Sequence, residues 1–381
     1  MRFPVQARLF VTLLALTLAP AAARAYPQFQ FGTDATRCTL CHLAPAGGGL
    51  LNGYGRDESA DTISRGGDGR FLHGWWKLPS WLKLGGDYRG AALLNDVGNS
   101  DGDGPEFAFF PMQADLYSRF EFSKKLSLNL IVGARGSVRP RDPSLLSYAV
   151  SREHYLTWRP KSRGYYLRAG RFFAPFGLRL PDHTMYVRRY TGFHTLEETY
   201  NLSVGWLQDA WEAHFTAFMP DFLRPLGQKG GKGLAAYVER RIDDRSSLAM
   251  QARASLGDLD DRYLVGLVGK RAFRNRKLLL MGEIDLMRQE LDALPDGRTQ
   301  YVAHLGAYYW LKRGWQVSAT VERYDEDIAV KHVARDAISA NLQWFPRAHF
   351  ELHLLGRTRI LGGGDGGDTA NLAMLQLHYY P

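Results

Sequence analysis

Apolar and polar residues alternate along most of the chain from Trp81 onward. In the segment 126–138, for example, Leu128 and Leu130 fall on one face while Asn129 falls on the other. This period-two pattern recurs in about sixteen segments of roughly 9–13 residues, separated by residues typical of turns. Because successive side chains of a β-strand point to opposite faces of the sheet, each segment is predicted to be a strand with one apolar and one polar face.

The connections between these strands differ in length in a regular way. We place the strands near residues 81–94, 107–122, 126–138, 149–159, 165–173, 196–206, 211–219, 232–242, 246–256, 262–272, 276–288, 300–311, 315–324, 333–345, 349–361 and 370–380. Long loops then follow odd-numbered strands, and tight turns follow even-numbered strands. Outer-membrane barrels have long external loops, short periplasmic turns and, in bacteria, an even number of strands.

A soluble β-sandwich also alternates, but it has no reason to alternate long and short connections. The sequence therefore predicts an all-β fold, a transmembrane outer-membrane β-barrel of about 16 antiparallel strands that contacts outer-membrane lipid. Both chain ends are then expected on the periplasmic side. Beyond the N-terminus, no apolar run approaches the length of a membrane-spanning helix, which needs about twenty residues.

The polar face of the predicted strands carries charges of both signs. Such side chains are costly against lipid and tolerated in water, so we assign them to an aqueous lumen, which a barrel of this size is wide enough to keep. The predicted lumen residues are Arg119, Glu121, Arg135, Arg168, Arg253, Glu283, Asp285, Glu322, Arg335, Glu351, Arg357 and Arg359. The pattern leaves open whether they only keep the lumen wet and rigid or form a selective ion path.

The first 25 residues are predicted to be a signal peptide. Arg2 and Arg8 make a basic start, residues 9–18 are almost wholly apolar, and residues 23–25 fit a small-x-small cleavage site before Tyr26. The apolar run is about half of a transmembrane span. We therefore expect an exported chain located in the bacterial outer membrane.

The formal net charge of the whole chain is +9 at pH 7. The sequence has no block rich in lysine or arginine and no nucleic-acid-binding motif. We therefore expect no nucleic-acid partner, and we assign the charge to solvated surface and pore lining.

The chain has two cysteines, which form a single C-x-x-C-H motif: Cys38, Cys41 and His42. A structural disulfide is permitted in the periplasm. A thioredoxin-like pair would need a βαβ context, and zinc usually needs four ligands; neither is evident nearby. Two thiols at this spacing with an adjacent histidine predict covalent attachment of one haem c, with His42 as the proximal iron ligand.

Residues 26–80 are predicted to form a monohaem cytochrome segment, and residues 81–381 the porin-like barrel. A segment this short buries little surface alone. We therefore expect it to pack in the barrel mouth, on the periplasmic side or inside the lumen.

The distal iron ligand is less evident from the sequence. The only other histidine in residues 26–80 is His73, which we predict as the local candidate. His73 also has a purely structural interpretation, as an interfacial residue beside Trp75 and Trp76. The remaining candidates are Met112, His183, Met185, His353 or water.

The N-terminal motif resembles that of the fused monohaem cytochrome–porins, a family that includes outer-membrane iron-oxidising cytochromes. The resemblance covers about 30 residues and rests on Tyr26-Pro27-Gln28-Phe29, Cys38-Thr39-Leu40-Cys41-His42, Pro45 and Leu51-Asn52-Gly53-Tyr54-Gly55-Arg56. It implies an electron-transfer protein between extracellular Fe(II), or another redox metal, and periplasmic c-type cytochromes or other carriers. Whether the chain acts as a ferrous iron oxidase, reduces extracellular metals or forms a homotrimer stays open.

A second resemblance lies within the predicted barrel. The segment 167–178, with Gly170, Pro175, Phe176 and Gly177, is similar to a strand-and-loop motif of phosphate-selective and related substrate-specific porins. The 22-residue loop from Ala174 to Thr195 is expected to fold inward and narrow the pore. The alternative function is therefore a substrate-selective porin whose haem segment is a plug or a redox sensor.

Overall fold

The computed structural model describes residues 26–32, 35–96, 105–135, 149–194, 197–221, 231–291, 294–362 and 368–381. These residues form a closed barrel of sixteen antiparallel strands. Each strand pairs with its neighbours in sequence, and the first strand pairs with the last, Tyr88 opposite Tyr379 and Asp96 opposite Asn371. The predicted fold class and strand number are confirmed.

The strands follow the alternation closely. They are β1 (Leu82–Asp96), β2 (Glu106–Glu121), β3 (Leu126–Arg135), β4 (Ala149–Trp158), β5 (Gly164–Phe172), β6 (Thr199–Leu207), β7 (Trp211–Met219), β8 (Lys232–Asp243), β9 (Ser246–Leu256), β10 (Asp260–Phe273), β11 (Leu278–Leu291), β12 (Leu294–Lys312), β13 (Trp315–Asp325), β14 (Arg335–Trp344), β15 (Phe350–Leu361) and β16 (Asp368–Tyr379). Within the described residues the α-helices are short: α1 (Cys38–Cys41), α2 (Gly53–Glu58) and α3 (Tyr186–Arg189). No helix of the described chain has the length and hydropathy to cross a bilayer.

The barrel wall is apolar outside and polar inside. On β6, Leu202 and Val204 are 61% and 44% exposed, whereas the intervening Ser203 is fully buried. The predicted lumen residues Glu322 and Arg357 lie inside the barrel 2.6 Å apart. This arrangement, opposite to that of a soluble protein, is the one that suits lipid outside and a polar interior.

The strict alternation of loop lengths is wrong at two connections. Residues 257–259, between β9 and β10, form a turn as tight as those at the other end, closed by Gly257 N–H donating to Asp260 O at 3.0 Å. Strands β11 and β12 extend beyond the predicted bounds, to Leu291 opposite Leu294. Polar residues of the two strands bond one another near these ends, as where Arg298 donates to Gln289 Oε1 at 2.6 Å, so this hairpin continues where the alternation weakens.

The loop after β5 folds into the lumen, as predicted. Its backbone is held by side chains of the inner wall: Gly177 N–H donates to Gln251 Oε1, Leu178 N–H to Glu283 and Tyr186 N–H to Glu322, each at 2.7 Å. Its apolar residues pack into a buried cluster with inner-wall aromatic side chains. The other long loops, at 97–104, 136–148, 222–230 and 363–367, lie outside the described residues, as does the predicted signal peptide.

The N-terminal segment closes the short-turn end of the barrel. Gly314 N–H donates to Ile63 O at 3.0 Å, and Ala348 N–H donates to Gly66 O at 2.9 Å, which joins the segment to two turns. Phe31 is fully buried in the same cluster as the inward loop. Residues 26–69 and the inward loop therefore fill the lumen from opposite ends.

Candidate functional site

The C-x-x-C-H motif lines a buried cavity between the N-terminal segment and the barrel wall. The cavity encloses about 1140 Å³ of space free of protein atoms, part of it open to solvent. Its lining includes Cys38, Cys41 and His42 from the motif, and Phe29, Leu50, Leu51, Ile63, Tyr117 and Phe345 as its larger apolar and aromatic side chains. The exposed surface of this lining is mostly apolar, with polar and charged groups among it, as in many cofactor sites.

Asn52 holds the cysteine helix in place. Its side-chain amide donates to Leu40 O at 2.8 Å, and its backbone N–H donates to Cys41 O at the same distance. Its Oδ1 accepts from Gly55 N–H at 2.9 Å and so caps α2. Asn52 therefore bonds backbone carbonyls near the C-terminus of α1 and a backbone N–H at the N-terminus of α2.

Gly55 and Arg56 complete the docking of the motif. A Cβ at Gly55 would lie far inside van der Waals contact of the Cys41 carbonyl, so the two helices approach as closely as glycine alone permits. The Arg56 guanidinium donates to Gly69 O at 3.1 Å and to Leu84 O of β1 at 2.9 Å. The residues that carried the family resemblance thus join the cysteine helix to the barrel.

We expect Gly55→Ala to displace the cysteine helix, because the added methyl group meets rigid backbone. Overpacking of this kind typically costs about 1–3 kcal/mol. Gly53→Ala is the matched control, since a Cβ there meets no atom within 4 Å. Limited proteolysis of the N-terminal segment should be faster in Gly55→Ala than in the wild type and unchanged in Gly53→Ala. Equal protection of both variants would contradict this close-packing role.

The motif side chains are uncharged at neutral pH. Burial lowers the pKa of His42 to about 4, against the opposing effect of backbone hydrogen bonds with Gly48 and Gly49, so the ring is neutral at pH 7. Burial also raises the pKa of Cys41 to about 12 and that of Cys38 above its ordinary value. Redox-active thiol pairs instead have a depressed thiol pKa, so the thioredoxin-like alternative finds no support here.

The residues around the motif fit a haem. His42 Nδ1 is buried and has no hydrogen-bond partner among the described residues. Cys38 and Cys41 are both free thiols. The glycines Gly49, Gly55, Gly69, Gly85 and Gly86 line the cavity and keep its walls free of side chains. A flat apolar group tethered at the two thiols and ligated by the histidine is compatible with this lining.

His73 lies outside this cavity. Its ring stacks on Phe350 and lies 6.1 Å from the ring of Tyr379. Both aromatic residues share the outward face of their strands with the half-exposed Leu354 and Leu377. The segment 71–76 therefore passes over the barrel rim onto the outer wall, where an interfacial position suits the exposed tryptophans. His73 as distal ligand stays a prediction; its ring lies 4.6 Å from the ring of His349, which lines the cavity.

The other proposed distal ligands also lie away from the cavity. Met185 is buried in the inward-loop cluster, and the His183 ring lies 5.5 Å from the His194 ring in the same loop. His353 bonds Asn341 across β14 and β15 at 2.9 Å. Met112 lies on β2 and is absent from the cavity lining.

Two further histidines, neither of them among the predicted iron ligands, line the cavity: His349 and His378. His378 lies on the inward face of β16, so its lumen position was readable from the alternation. His349 precedes β15 in a turn, where no periodic signal exists. Its ring nitrogens lie 2.7 Å from Tyr380 O and 2.8 Å from Asp68 O.

A buried ionic network borders the same cavity. The His378 ring lies 2.7 Å from both Glu351 and Asp87, and Asp87 also pairs with Arg89 at 2.9 Å. Tyr26 donates to Glu351 at 2.8 Å, which anchors the N-terminal segment to the network. With two carboxylates at ion-pair distance, the imidazolium form of His378 is the one that the surrounding charge favours.

Arg179 connects the inward loop with the motif. Its guanidinium donates to Ala46 O at 2.6 Å, lies 3.8 Å from Cys38 Sγ and pairs with Glu212 at 3.2 Å. The residue adopts a left-handed backbone, with φ of 58°, which is uncommon outside glycine. The loop conformation is thus fixed against the glycine-rich turn that follows the motif.

Comparison with known proteins shows the fold. No protein-family model matches the chain, and no curated protein matches its sequence. An anion-selective porin from Comamonas acidovorans has a TM-score of 0.58 at 14% identity, covering 79% of this chain and 99% of the other. The outer membrane channel DcaP of Acinetobacter baumannii has a TM-score of 0.59 at 13% identity, covering 84% of this chain and 100% of the other. OmpT of Vibrio cholerae, in a trimer form, has a TM-score of 0.55 at 10% identity, covering 79% of this chain and 99% of the other. The barrel is therefore porin-like in fold.

Proposed function

We propose that this protein is an outer-membrane electron conduit: a porin-like barrel that holds one covalent haem c at its periplasmic end. The observation that carries the proposal is the position of Cys38, Cys41 and His42 on one cavity inside a barrel lumen. A haem bound there supplies one-electron chemistry, its iron alternating between ferrous and ferric states.

The residues of the chain have separate tasks in this proposal. Cys38 and Cys41 would hold the haem through thioether bonds, and His42 would be a ligand of its iron. Asn52 and Arg56 orient the motif against β1, and the docked segment keeps bulk solvent from the motif. Extracellular Fe(II), or another redox metal, is the proposed external partner, and periplasmic c-type cytochromes or other carriers are the internal one.

The central test is whether the purified protein contains covalent haem. Protein matured in a host with a c-type cytochrome assembly system should stain for haem after denaturing electrophoresis and show Soret absorbance. Its visible spectrum should change on addition of Fe(II) when the haem is oxidised. Absence of the stain in full-length, correctly exported protein would end the proposal.

A second function is favoured by the comparisons, because two of the similar structures are named as a porin and as an outer membrane channel. In that case the chain is a substrate-selective porin, and residues 26–69 are a plug or a redox sensor. With this function we also propose that the chain forms a homotrimer, since one similar structure is described as a trimer form. Solute conductance of the full-length protein in planar bilayers would favour this function over the conduit.

For the distal position we expect His349 rather than His73. Burial lowers the pKa of His349, and a neutral ring can donate to one of its two carbonyl neighbours only. The other nitrogen faces the second carbonyl oxygen without a hydrogen bond, and it would bind a metal once the ring turns away from that carbonyl. His349→Ala should convert a low-spin haem spectrum to a high-spin one, measured by absorption and electron paramagnetic resonance. His73→Ala is the control; a spectral change in that variant alone would restore the prediction for His73.

A further inference from the structure

The short-turn end of the barrel carries a group of basic side chains around the docked N-terminal segment. We call this group the basic crescent: Arg65, Arg274, Lys277, Lys312, Arg313 and Arg347, all of them exposed. They come from the segment itself and from three turns, β10–β11, β12–β13 and β14–β15. The turns are neighbours in the barrel, so the crescent is continuous.

The crescent is not neutralised within the described part of the chain. None of its six members lies at ion-pair distance from a carboxylate there. Other basic residues at this end do: Arg163 pairs with Asp209, Arg271 of β10 with Asp243, and Arg276 of the β10–β11 turn with Asp244. Arg313 donates only to backbone carbonyls, those of Ala60 and Ser64. The positive charge is therefore concentrated on one side of this end.

One end of the crescent, formed by Arg65 and Arg347, lies beside the cavity of the cysteine motif. Arg65 N–H donates to the carbonyl of Phe345, which lines the cavity, at 3.1 Å. Arg347 is two residues from His349, a further lining residue. The side chains of Arg65 and Arg347 pack against Gly314 and Gly67. A protein bound to the crescent would thus be separated from the cavity by one layer of residues.

We propose that the basic crescent is the docking surface for a soluble periplasmic redox protein with an acidic face. This inference rests on the proposed function and names the chemistry of its internal partner. Opposite charge steers diffusional encounter and orients the partner, and unpaired exposed arginines and lysines are suited to that task. The short distance to the cavity brings the partner to the place where electrons leave.

Anionic phospholipid is the other occupant with the required charge, and the geometry favours a protein. Arg65 belongs to the segment that plugs the lumen, and the Arg347 side chain packs against Gly67 of that segment. Lipid headgroups surround the outer wall, where Trp75 and Trp76 are 87% and 58% exposed. An aromatic surface of this kind suits the membrane interface.

The test compares two matched charge reversals in the full-length protein in phosphatidylcholine nanodiscs. One variant is Arg65→Glu/Lys312→Glu/Arg347→Glu within the crescent. The other is Lys124→Glu/Lys125→Glu/Lys161→Glu, which makes the same charge change on exposed turns at the same end, outside the crescent. The probes are mitochondrial cytochrome c, which is basic, and the same protein with its lysines succinylated, which is acidic.

The succinylated probe should bind the wild type in a salt-sensitive way, and the basic probe should not. The crescent variant should lower the association rate about tenfold or more at low salt, within the range of electrostatic steering, and the control variant much less. Equal losses in both variants, or no binding of the acidic probe, would overturn the proposal. So would binding that disappears in nanodiscs of equimolar phosphatidylcholine and phosphatidylglycerol, because lipid would then occupy the crescent.

Binding is measured here rather than electron transfer, so the outcomes of the two proposals stay separate. A chain without haem that still binds the acidic probe through the crescent would refute the conduit and retain the docking surface. A haem-loaded chain that binds the acidic probe equally well without the crescent charges would refute the docking surface and retain the conduit. Circular dichroism and heat-modifiable migration of both variants establish that the barrel is folded in each case.

Discussion

Replacing Cys38 and Cys41 with alanine should abolish covalent haem and leave the barrel folded. Neither cysteine belongs to the barrel wall, and both are only partly buried, so their loss removes little packing. Without thiols no thioether can form, and a haem held only by His42 would be lost on purification. The expected result is no haem stain and no Soret absorbance, with unchanged heat-modifiable migration.

The functional readout of this variant is electron transfer across a membrane. Liposomes containing the wild type should reduce an enclosed ferric cytochrome c when Fe(II) is added outside, and the double variant should fall to the rate of protein-free liposomes. Thr39→Ala is the matched control, because it changes the motif but keeps both thiols and His42. Undiminished transfer by the double variant would mean that electrons cross by another route.

Much of the barrel was predictable because a strand in a membrane wall has a single strong constraint. Every second residue contacts lipid, so the period-two pattern gave sixteen strands with bounds that differ from the structure by a few residues. The constraint weakens where a hairpin leaves the bilayer. For that reason β12, which begins at Leu294, was predicted to start six residues too late.

The site was predictable only in its covalent chemistry. The spacing of Cys38, Cys41 and His42 is local, so the sequence alone could indicate haem attachment. The alternation placed His378 on the lumen face, but nothing in the sequence brought it to the motif, because that contact depends on how residues 26–69 fold inside the barrel. Gly69 lines the cavity, but the same packing places His73, four residues later, on the outer wall.

The charged lumen residues acquire a structural role from this packing. Lys270 lies 2.8 Å from Glu239 and 3.0 Å from the Gln30 side chain, and Arg37 lies 2.9 Å from Asp209 on a turn. Tyr26 bonds Glu351 in the same manner. The inner wall thus holds the N-terminal segment by polar contacts, whereas the outer wall is apolar. Contacts of this kind can be removed without breaking any strand pairing.

Deleting residues 26–69 while retaining the signal peptide should therefore open the short-turn end of the barrel. Strand β1 begins at Leu82 and closes the barrel through its pairing with β16, so no ladder is lost. The Lys270–Glu239 pair stays intact, so this buried charge pair keeps both its partners. Single-channel conductance in planar bilayers should rise from almost none in the full-length protein to that of a constricted porin, with the inward loop as the remaining barrier.

The Cys38→Ala/Cys41→Ala variant is the control for this deletion, because it lacks the haem but keeps the segment. If the polypeptide itself closes the lumen, the double variant stays closed and the deletion conducts. If both conduct, the porphyrin rather than the segment fills the opening, and the polar contacts of Tyr26 and Gln30 would not suffice to seal it. A deletion that stays closed would assign the seal to the inward loop and its bonds to Glu283 and Glu322. A full-length protein that already conducts would instead favour the porin function, since an electron conduit has no need of an open path for solutes.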